Sequence, residues 1–343
     1  MLELIDAQPV PAAEILRRCG AEVSVPIREA VDLLPAELRV GAGFHFGWWD
    51  ADGTPLSASQ GKRVRPAFVL SAARAVSGQT NDQTLRAAVA VELVHNFTLV
   101  HDDVMDADKL RRGRPTVWAQ FGIPYAILLG DAMLALANQI VTRAGDDTRL
   151  CRLLNEVTVA LCMGQQQDMA FEQSSTVSID DYVEMVTGKT AALLAGACVL
   201  GGLAGGAGPN DVEVLRRFGH HVGLAFQLVD DVLGIWGDPT VTGKPVGADL
   251  CRYKKSMPVL AAMGSGSPAG RLLRDMYRSR SITDADAAGR ATHLIQEAGG
   301  REWTESQATR HHQFALECLD DLGPQWMVSE LRALADFMVR RDK

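Results

Sequence analysis

The stretch that most constrains this chain is LVHDDVMDADKLRRGRPT, Leu99 to Thr116, which continues a long apolar run, AAVAVELVHNFTLVH. An apolar helix is stable only when other elements cover it. Three carboxylates at its end, Asp102, Asp103 and Asp106, repel one another and lose solvation near an apolar core. The fold must therefore wrap this run and bring positive charge to its acidic end. At helical spacing His95, Asp102 and Asp106 share one stripe, with Asp103 to its side. Arg111 and Arg112 follow at once. A divalent metal ion is the first candidate for the space between the acids.

The rest of the chain reads helix after helix. Ala, Leu, Val and Met recur at spacings of three and four, and alternating β-branched runs are nearly absent. The pattern predicts helices over 11–18, 27–40, 64–77, 82–106, 123–143, 149–171, 179–202, 211–236, 256–262, 267–278, 283–297, 303–320 and 324–339, with loops over 41–60, 109–120 and 238–254. No fixed repeat, heptad array or low-complexity linker interrupts them. The sequence thus predicts an all-α fold, a single-domain bundle of about 10–13 helices over 26–343, with residues 1–25 loosely attached. A net charge of −8 argues against a nucleic-acid or anionic-membrane binder. The chain does not start as a secretory signal does, and no run approaches the length of a transmembrane segment. Six scattered cysteines without a CxxC read as reduced thiols of a cytoplasmic protein.

Five Asp-Asp pairs occur. Asp146–Asp147, Asp180–Asp181 and Asp320–Asp321 fall at helix ends or polar turns, where capping explains them. Asp102–Asp103 and Asp230–Asp231 sit on mostly apolar helices, where an unpaired acid costs most. Gln227, Asp230, Asp231 and Gly234 share one helical face. Two such acidic stripes facing across a bundle would line a site with hard oxygen donors, which suits Mg²⁺. Such a site normally needs ligand phosphates to complete the metal shell. Cations stand nearby: Lys62, Arg63 and Arg65 in GKRVRP, Lys189 with Thr190 in GKT, and Lys244, Lys254 and Lys255 in GKPVGADLCRYKKSMP. Metal carboxylates on one side and cations on the other make a diphosphate the natural occupant. Neither GKT nor GGLAGG has the strand-to-helix setting of a nucleotide loop.

Taken in order, GKRVRP, HNFTLVHDDVMD, RRGRPT, GD at 130–131, GQQQD, GKT, FQLVDD, GDPTVTGKPVGADL and KKSMP resemble the trans-type isoprenyl diphosphate synthases, or polyprenyl synthetases. The resemblance covers Gly61 to about Pro258, with a flavour similar to actinobacterial geranylgeranyl diphosphate synthases. It implies the isoprenoid synthase fold, helices around a central active-site cavity, and a homodimer. It also implies a Mg²⁺-dependent prenyltransferase that ionises an allylic diphosphate (dimethylallyl, geranyl or farnesyl). Isopentenyl diphosphate then attacks the cation, and a proton is lost.

By that resemblance Asp102, Asp106 and Asp230 bind metal, supported by Asp103 and Asp231. Arg111, Lys189, Thr190, Gln227, Lys244 and Lys254 take the allylic diphosphate. Lys62, Arg65, His95 and Arg112 hold isopentenyl diphosphate, and His95 also belongs to the site by its place on the aspartate stripe. The catalytic group is then Asp102, Asp103, Asp106, Arg111, Lys189, Asp230 and Lys244. Phe97 with Thr98 would set chain length on the geranylgeranyl pattern, although simple helix geometry puts Thr98 and Leu99 nearer the stripe. One departure stands out. The second motif normally carries a third Asp where this chain has Gly234, and a water on the metal is expected there. The alternatives are a terpene cyclase of the same fold, a farnesyl diphosphate synthase, and a non-catalytic subunit of a heteromeric synthase.

Overall fold

The computed structural model describes residues 10–56, 61–142, 148–174, 176–237 and 247–340, and these are almost wholly helical. They group into two compact units, Met1–Thr158 with Gly196–Arg216 and Cys318–Leu334, and Val159–Ala195 with Arg217–Glu317 and Ala335–Lys343. Every boundary between the units falls inside a helix, so no linker composition marks it.

In the first unit α1 (Ala12–Asp32), α2 (Ala36–Phe46), α3 (Val64–Ser77), α4 (Asp82–Met105), α5 (Val117–Phe121) and α6 (Ile123–Val141) follow one another. The centre is α4, which packs most extensively on α6 and also against α1 and α3. Its buried residues, from Ala87 through Val91, Leu93 and Phe97 to Val100, face every side, as a core helix requires. Asn81 and Thr84 form a capping box at its start.

Two sequence expectations change here. Residues 12–25 are not loosely attached: α1 runs unbroken through Gly20 and Pro26 to Asp32. Its buried stripe of Ile15, Cys19, Val23, Ile27 and Ala30 continues across both breakers. That burial outweighs a proline cost of about 3 kcal/mol. Arg18 pairs with Glu330, Glu22 with Arg74, and Ser71 donates to Glu330 at 2.8 Å, tying α1 to its neighbours. Likewise 41–46 is helix rather than loop. A Cβ on Gly41 would stand 2.4 Å from the Tyr125 ring and one on Gly43 2.0 Å from Trp49, so these glycines serve close packing, not a turn.

The expected loop at 109–120 holds a hairpin, β1 (Leu110–Arg111) against β2 (Arg114–Pro115), followed by α5. Arg112 and Gly113 at its tip have φ of 53° and 73°, the left-handed pair of a primed two-residue turn.

The chain continues in α7 (Thr148–Gln173), which enters the second unit at Val159, then α8 (Ile179–Val186), a π-helical turn over Thr187–Ala191, and α9 (Ala192–Ala204). Then come α10 (Pro209–Trp236), α11 (Ala248–Cys251), α12 (Met257–Gly264), α13 (Pro268–Arg278), α14 (Ala285–Glu297), α15 (Gly300–Leu322) and α16 (Gln325–Val339). Glycines set the close crossings. A Cβ on Gly219 would lie 2.6 Å from the Ala195 Cα, and one on Gly223 2.4 Å from the Ala191 Cα. On α7, a Cβ at Gly164 would stand 2.2 Å from the Lys189 amide nitrogen. Tyr182, Met185, Leu224, Leu228 and Met257 form the core beside these crossings.

Two helical stretches, Ile123–Val141 and Ile179–Ala204, reach the length and mean hydropathy of a membrane span, which the sequence reading did not expect. Some 72% of the apolar stretch in the second is buried inside the protein, as in a core helix.

Candidate active site

The end of α4 carries the first acid group. Asp102 is half-buried and Asp106, the C-cap residue, is exposed, so both offer oxygens to a ligand. Asp103 points the other way and is 1% exposed. Its Oδ1 accepts from Arg111 Nε and Nη2, both at 2.8 Å, and its Oδ2 is buried with no partner among the described residues. Burial pushes this carboxyl up to about 6, against the pull of the Arg111 guanidinium. The inner acid thus holds Arg111.

The hairpin sorts the neighbouring arginines. Arg114 donates to the carbonyls of Phe44 (3.0 Å) and Trp49 (3.3 Å) and fixes the hairpin to the end of α2. Arg112 packs on Gly61, where a Cβ would meet its Nη1 at 3.0 Å. The GKRVRP segment therefore lies against the hairpin tip. Lys62 is exposed, and Arg65 on the first turn of α3 contacts His95 Nε2 through Nη1 at 3.0 Å. Arginine can only donate, so His95 accepts at Nε2 and carries its proton on Nδ1. Burial, then Arg65 and Arg112, hold this imidazole well below its ordinary range and keep it neutral.

Phe97 is buried, edge-on to His101 at 5.6 Å. Thr98 donates to the His95 carbonyl at 2.7 Å. Gly130, of the GD motif, leaves room for His101, whose Nε2 would stand 2.1 Å from a Cβ there.

The second acid group is built on α10. Gly219, Gly223 and Gln227 recur every four residues, so the glycine crossings bring Gln227 to the π-helical turn. There its Oε1 accepts from Thr190 Oγ1 at 2.8 Å, while its Nε2 donates to Asp231 Oδ1 at 3.1 Å. Asp231 is 3% exposed. It also accepts from the Tyr182 hydroxyl and from the Met257 amide at 2.8 Å. Burial pushes its carboxyl up despite the cation of Lys254 and these donors. Asp230 is exposed. Both pairs therefore split alike, one acid outward and one inward.

Lys189 donates to Asp168 at 2.5 Å. Burial disfavours the Lys254 ammonium, but Asp249, Asp231, Asp168 and Asp230 outweigh it and raise its pKa. Lys255 instead donates to the Phe171 carbonyl at 2.5 Å. A Cβ on Gly234 would stand 2.7 Å from Asp249 Oδ2, so that carboxylate fills the space a residue-234 side chain would take. Lys244 and Asp238 lie outside the described residues. Asp180–Asp181 and Asp320 behave as the sequence expects, the first capping α8 with Ser178 and the last pairing with Arg332. Asp146–Asp147 also lies outside the described residues.

Sequence reasoning gave no role to Asp168, Tyr182 or Asp249. Asp168 and Asp249 stand inside quoted motifs, GQQQD and GADL, and could have been read as partners for Lys189 and Lys254. Tyr182 carries no signal of its own.

Comparison with known proteins matches residues 53–295 to the polyprenyl synthetase family profile. The chain belongs to the polyprenyl synthetase family. A geranylgeranyl diphosphate synthase of Mycobacterium tuberculosis is 44% identical over 96% of this chain and 93% of its own. A (2E,6E)-farnesyl diphosphate synthase of Mycobacterium bovis is 42% identical over 93% of this chain and 90% of its own. The crystal structure of a Streptomyces coelicolor A3(2) polyprenyl synthetase superposes with a TM-score of 0.89 at 43% identity, covering 95% and 99% of the two chains. This polyprenyl synthetase is accordingly an all-α prenyltransferase of the trans-isoprenyl diphosphate synthase type.

The donors suit the family's metal. Asp102, Asp106 and Asp230 offer carboxylate oxygens, and among the described residues no group of three or more His, Cys, Asp or Glu gathers to hold an ion unaided. Carboxylates are hard donors of the kind Mg²⁺ takes.

Proposed function

We propose that this enzyme condenses isopentenyl diphosphate with an allylic diphosphate to give all-trans geranylgeranyl diphosphate. The carrying observation is the Arg65–His95 contact beside Arg112, a cationic group apart from the metal carboxylates. A cyclase, which handles a single diphosphate, has no use for it. In this reading Lys62, Arg65, His95 and Arg112 hold isopentenyl diphosphate, with His95 donating from Nδ1.

Asp102, Asp106 and Asp230 would hold Mg²⁺, which when bound would supply charge neutralisation for a departing diphosphate. Arg111, fixed by Asp103, and Lys189, steadied by Asp168, would add cations for the leaving group. Thr190, Gln227, Lys244 and Lys254 complete its binding. Apolar helix faces keep water from the allylic cation. The proton lost after condensation goes to an oxygen of the released diphosphate, which Arg111 and Lys189 keep in reach. Phe97, buried behind the first acid group, limits chain growth together with Thr98. We further infer a cytoplasmic homodimer.

A farnesyl product is the second reading, supported by the 42% identical relative of that name. Incubation with labelled isopentenyl diphosphate and a dimethylallyl, geranyl and farnesyl primer series, followed by chromatography, decides between them. Geranylgeranyl diphosphate should accumulate from each primer. Asp102→Ala should cut turnover at least about 100-fold, the range for removing one group that stabilises developing charge. No incorporation of label, with hydrocarbon formed from geranylgeranyl diphosphate alone, would sink the proposal.

A further inference from the structure

Behind the isopentenyl diphosphate group assigned above lies a buried polar chain to which that assignment gives no part. Glu92, on α4, is 4% exposed, Asn96 one turn on is 4% exposed, and Arg63 is 8% exposed. Arg63 donates from Nη1 to Glu92 Oε1 at 2.5 Å, and Asn96 Nδ2 donates to the same oxygen at 3.1 Å and to the Glu92 carbonyl at 2.7 Å. With its amide nitrogen so engaged, Asn96 presents Oδ1 as acceptor, and His45 Nε2 reaches it at 3.0 Å. His45 therefore carries its proton on Nε2. It lines a cavity of about 150 Å³ with Asp103, Arg111, Arg112 and Arg114.

Two of the residues around this chain hold unusual backbone. Arg63, the N-cap of α3, has φ of 51°, and Arg112, at the hairpin tip, has φ of 53°. Left-handed backbone in a non-glycine residue persists only where surrounding contacts impose it. For Arg63 that contact is the buried Glu92. Burial and the neighbouring Arg111 guanidinium lower the Arg112 pKa, and Glu92 opposes them. Lys62 and Arg65 flank Arg63, and Arg112 packs on Gly61. The carboxylate thus anchors the Gly61–Arg65 segment directly, and the hairpin tip packs on that segment.

We propose that Glu92 is the positioning carboxylate of the isopentenyl diphosphate group, fixing the Gly61–Arg65 segment through Arg63, with the hairpin tip seated on that segment where Arg112 packs on Gly61. It touches no substrate. The inference rests on the assignment of Lys62, Arg65, His95 and Arg112 made above. Its mark is selectivity, because the allylic group has its own supports in Asp103 and Asp168.

The test is steady-state kinetics on the full-length enzyme, with each substrate varied in turn, alongside thermal unfolding. Glu92→Gln should raise KM for isopentenyl diphosphate about tenfold, as loss of an outer supporting residue does. KM for the allylic substrate and kcat should stay within about twofold. In the double variant Arg63→Gln/Glu92→Gln, which leaves no unpaired charge, Tm should recover while KM for isopentenyl diphosphate stays high. That outcome separates positioning from simple charge neutralisation. Equal movement of both KM values, an unmoved KM in Glu92→Gln, or full recovery of KM in the double variant would overturn the inference. If Glu92→Gln cannot be obtained folded, the double variant alone gives the answer. A wild-type enzyme that incorporates no isopentenyl diphosphate would instead bring down the functional reading, and this inference with it.

Discussion

Asp103 spends one oxygen on Arg111 and leaves the other buried without a partner among the described residues, and burial raises its carboxyl to about 6. The sign of the pH effect follows. Below that value the acid takes up a proton and loses the charge that holds Arg111; above it the pair is intact. Activity should therefore fall as pH drops through about 6. In Asp103→Asn, which cannot titrate, that acid limb of the kcat/KM profile should vanish from a lower plateau. A limb unchanged in the variant would belong to the substrate diphosphate instead. At this scale the sequence revealed the acids themselves and the cations near them, because unpaired charge on an apolar helix is conspicuous in one dimension. Which acid of each pair turns inward was less legible. Asp231 is held inside by Tyr182 and Met257, both remote in sequence, and Asp249 meets Gly234 only through the fold.

The geometry of the second acid group is set by how closely α10 can approach the Thr187–Ala195 stretch. Gly223→Ala would put a methyl 2.4 Å from the Ala191 Cα, against backbone that cannot step aside as a flexible side chain could. The variant should lose about 1–3 kcal/mol of stability by chemical denaturation, the usual cost of overpacking. It should also lose activity beyond that loss, because Thr190 and Gln227 would move apart. Helix periodicity made most elements visible from sequence, including α4, α6 and α10. It failed at α1 and α2, where Gly20, Pro26, Gly41 and Gly43 look like punctuation. A buried stripe carries α1 past its breakers, and aromatic rings claim the space above the α2 glycines. The hairpin escaped for a different reason: two residues per strand are too few to show a period.

For the molecule as a whole, the composition forecast an all-α fold, but the two compact units were invisible because helices, not linkers, carry the chain between them. The proposed homodimer has a candidate surface on α6, where Ile123, Ile127 and Leu128 are 48%, 44% and 60% exposed. Clustered apolar exposure of this kind marks association. Leu128→Glu should sediment as a folded monomer, with Tm lowered only by the loss of association, since the side chain buries little within its own chain. A wild-type enzyme already monomeric in sedimentation would remove that reading. The outward and inward halves of each aspartate pair also place neighbouring codons under unlike selection. Asp102 and Asp230 answer to what they meet outside the core, whereas Asp103 and Asp231 answer also to the side chains they hold, Arg111 in one case and Gln227 with Tyr182 in the other. A change at an inner acid therefore carries two consequences, one for packing and one for the placement of Arg111 or Gln227, where a change at an outer acid carries one.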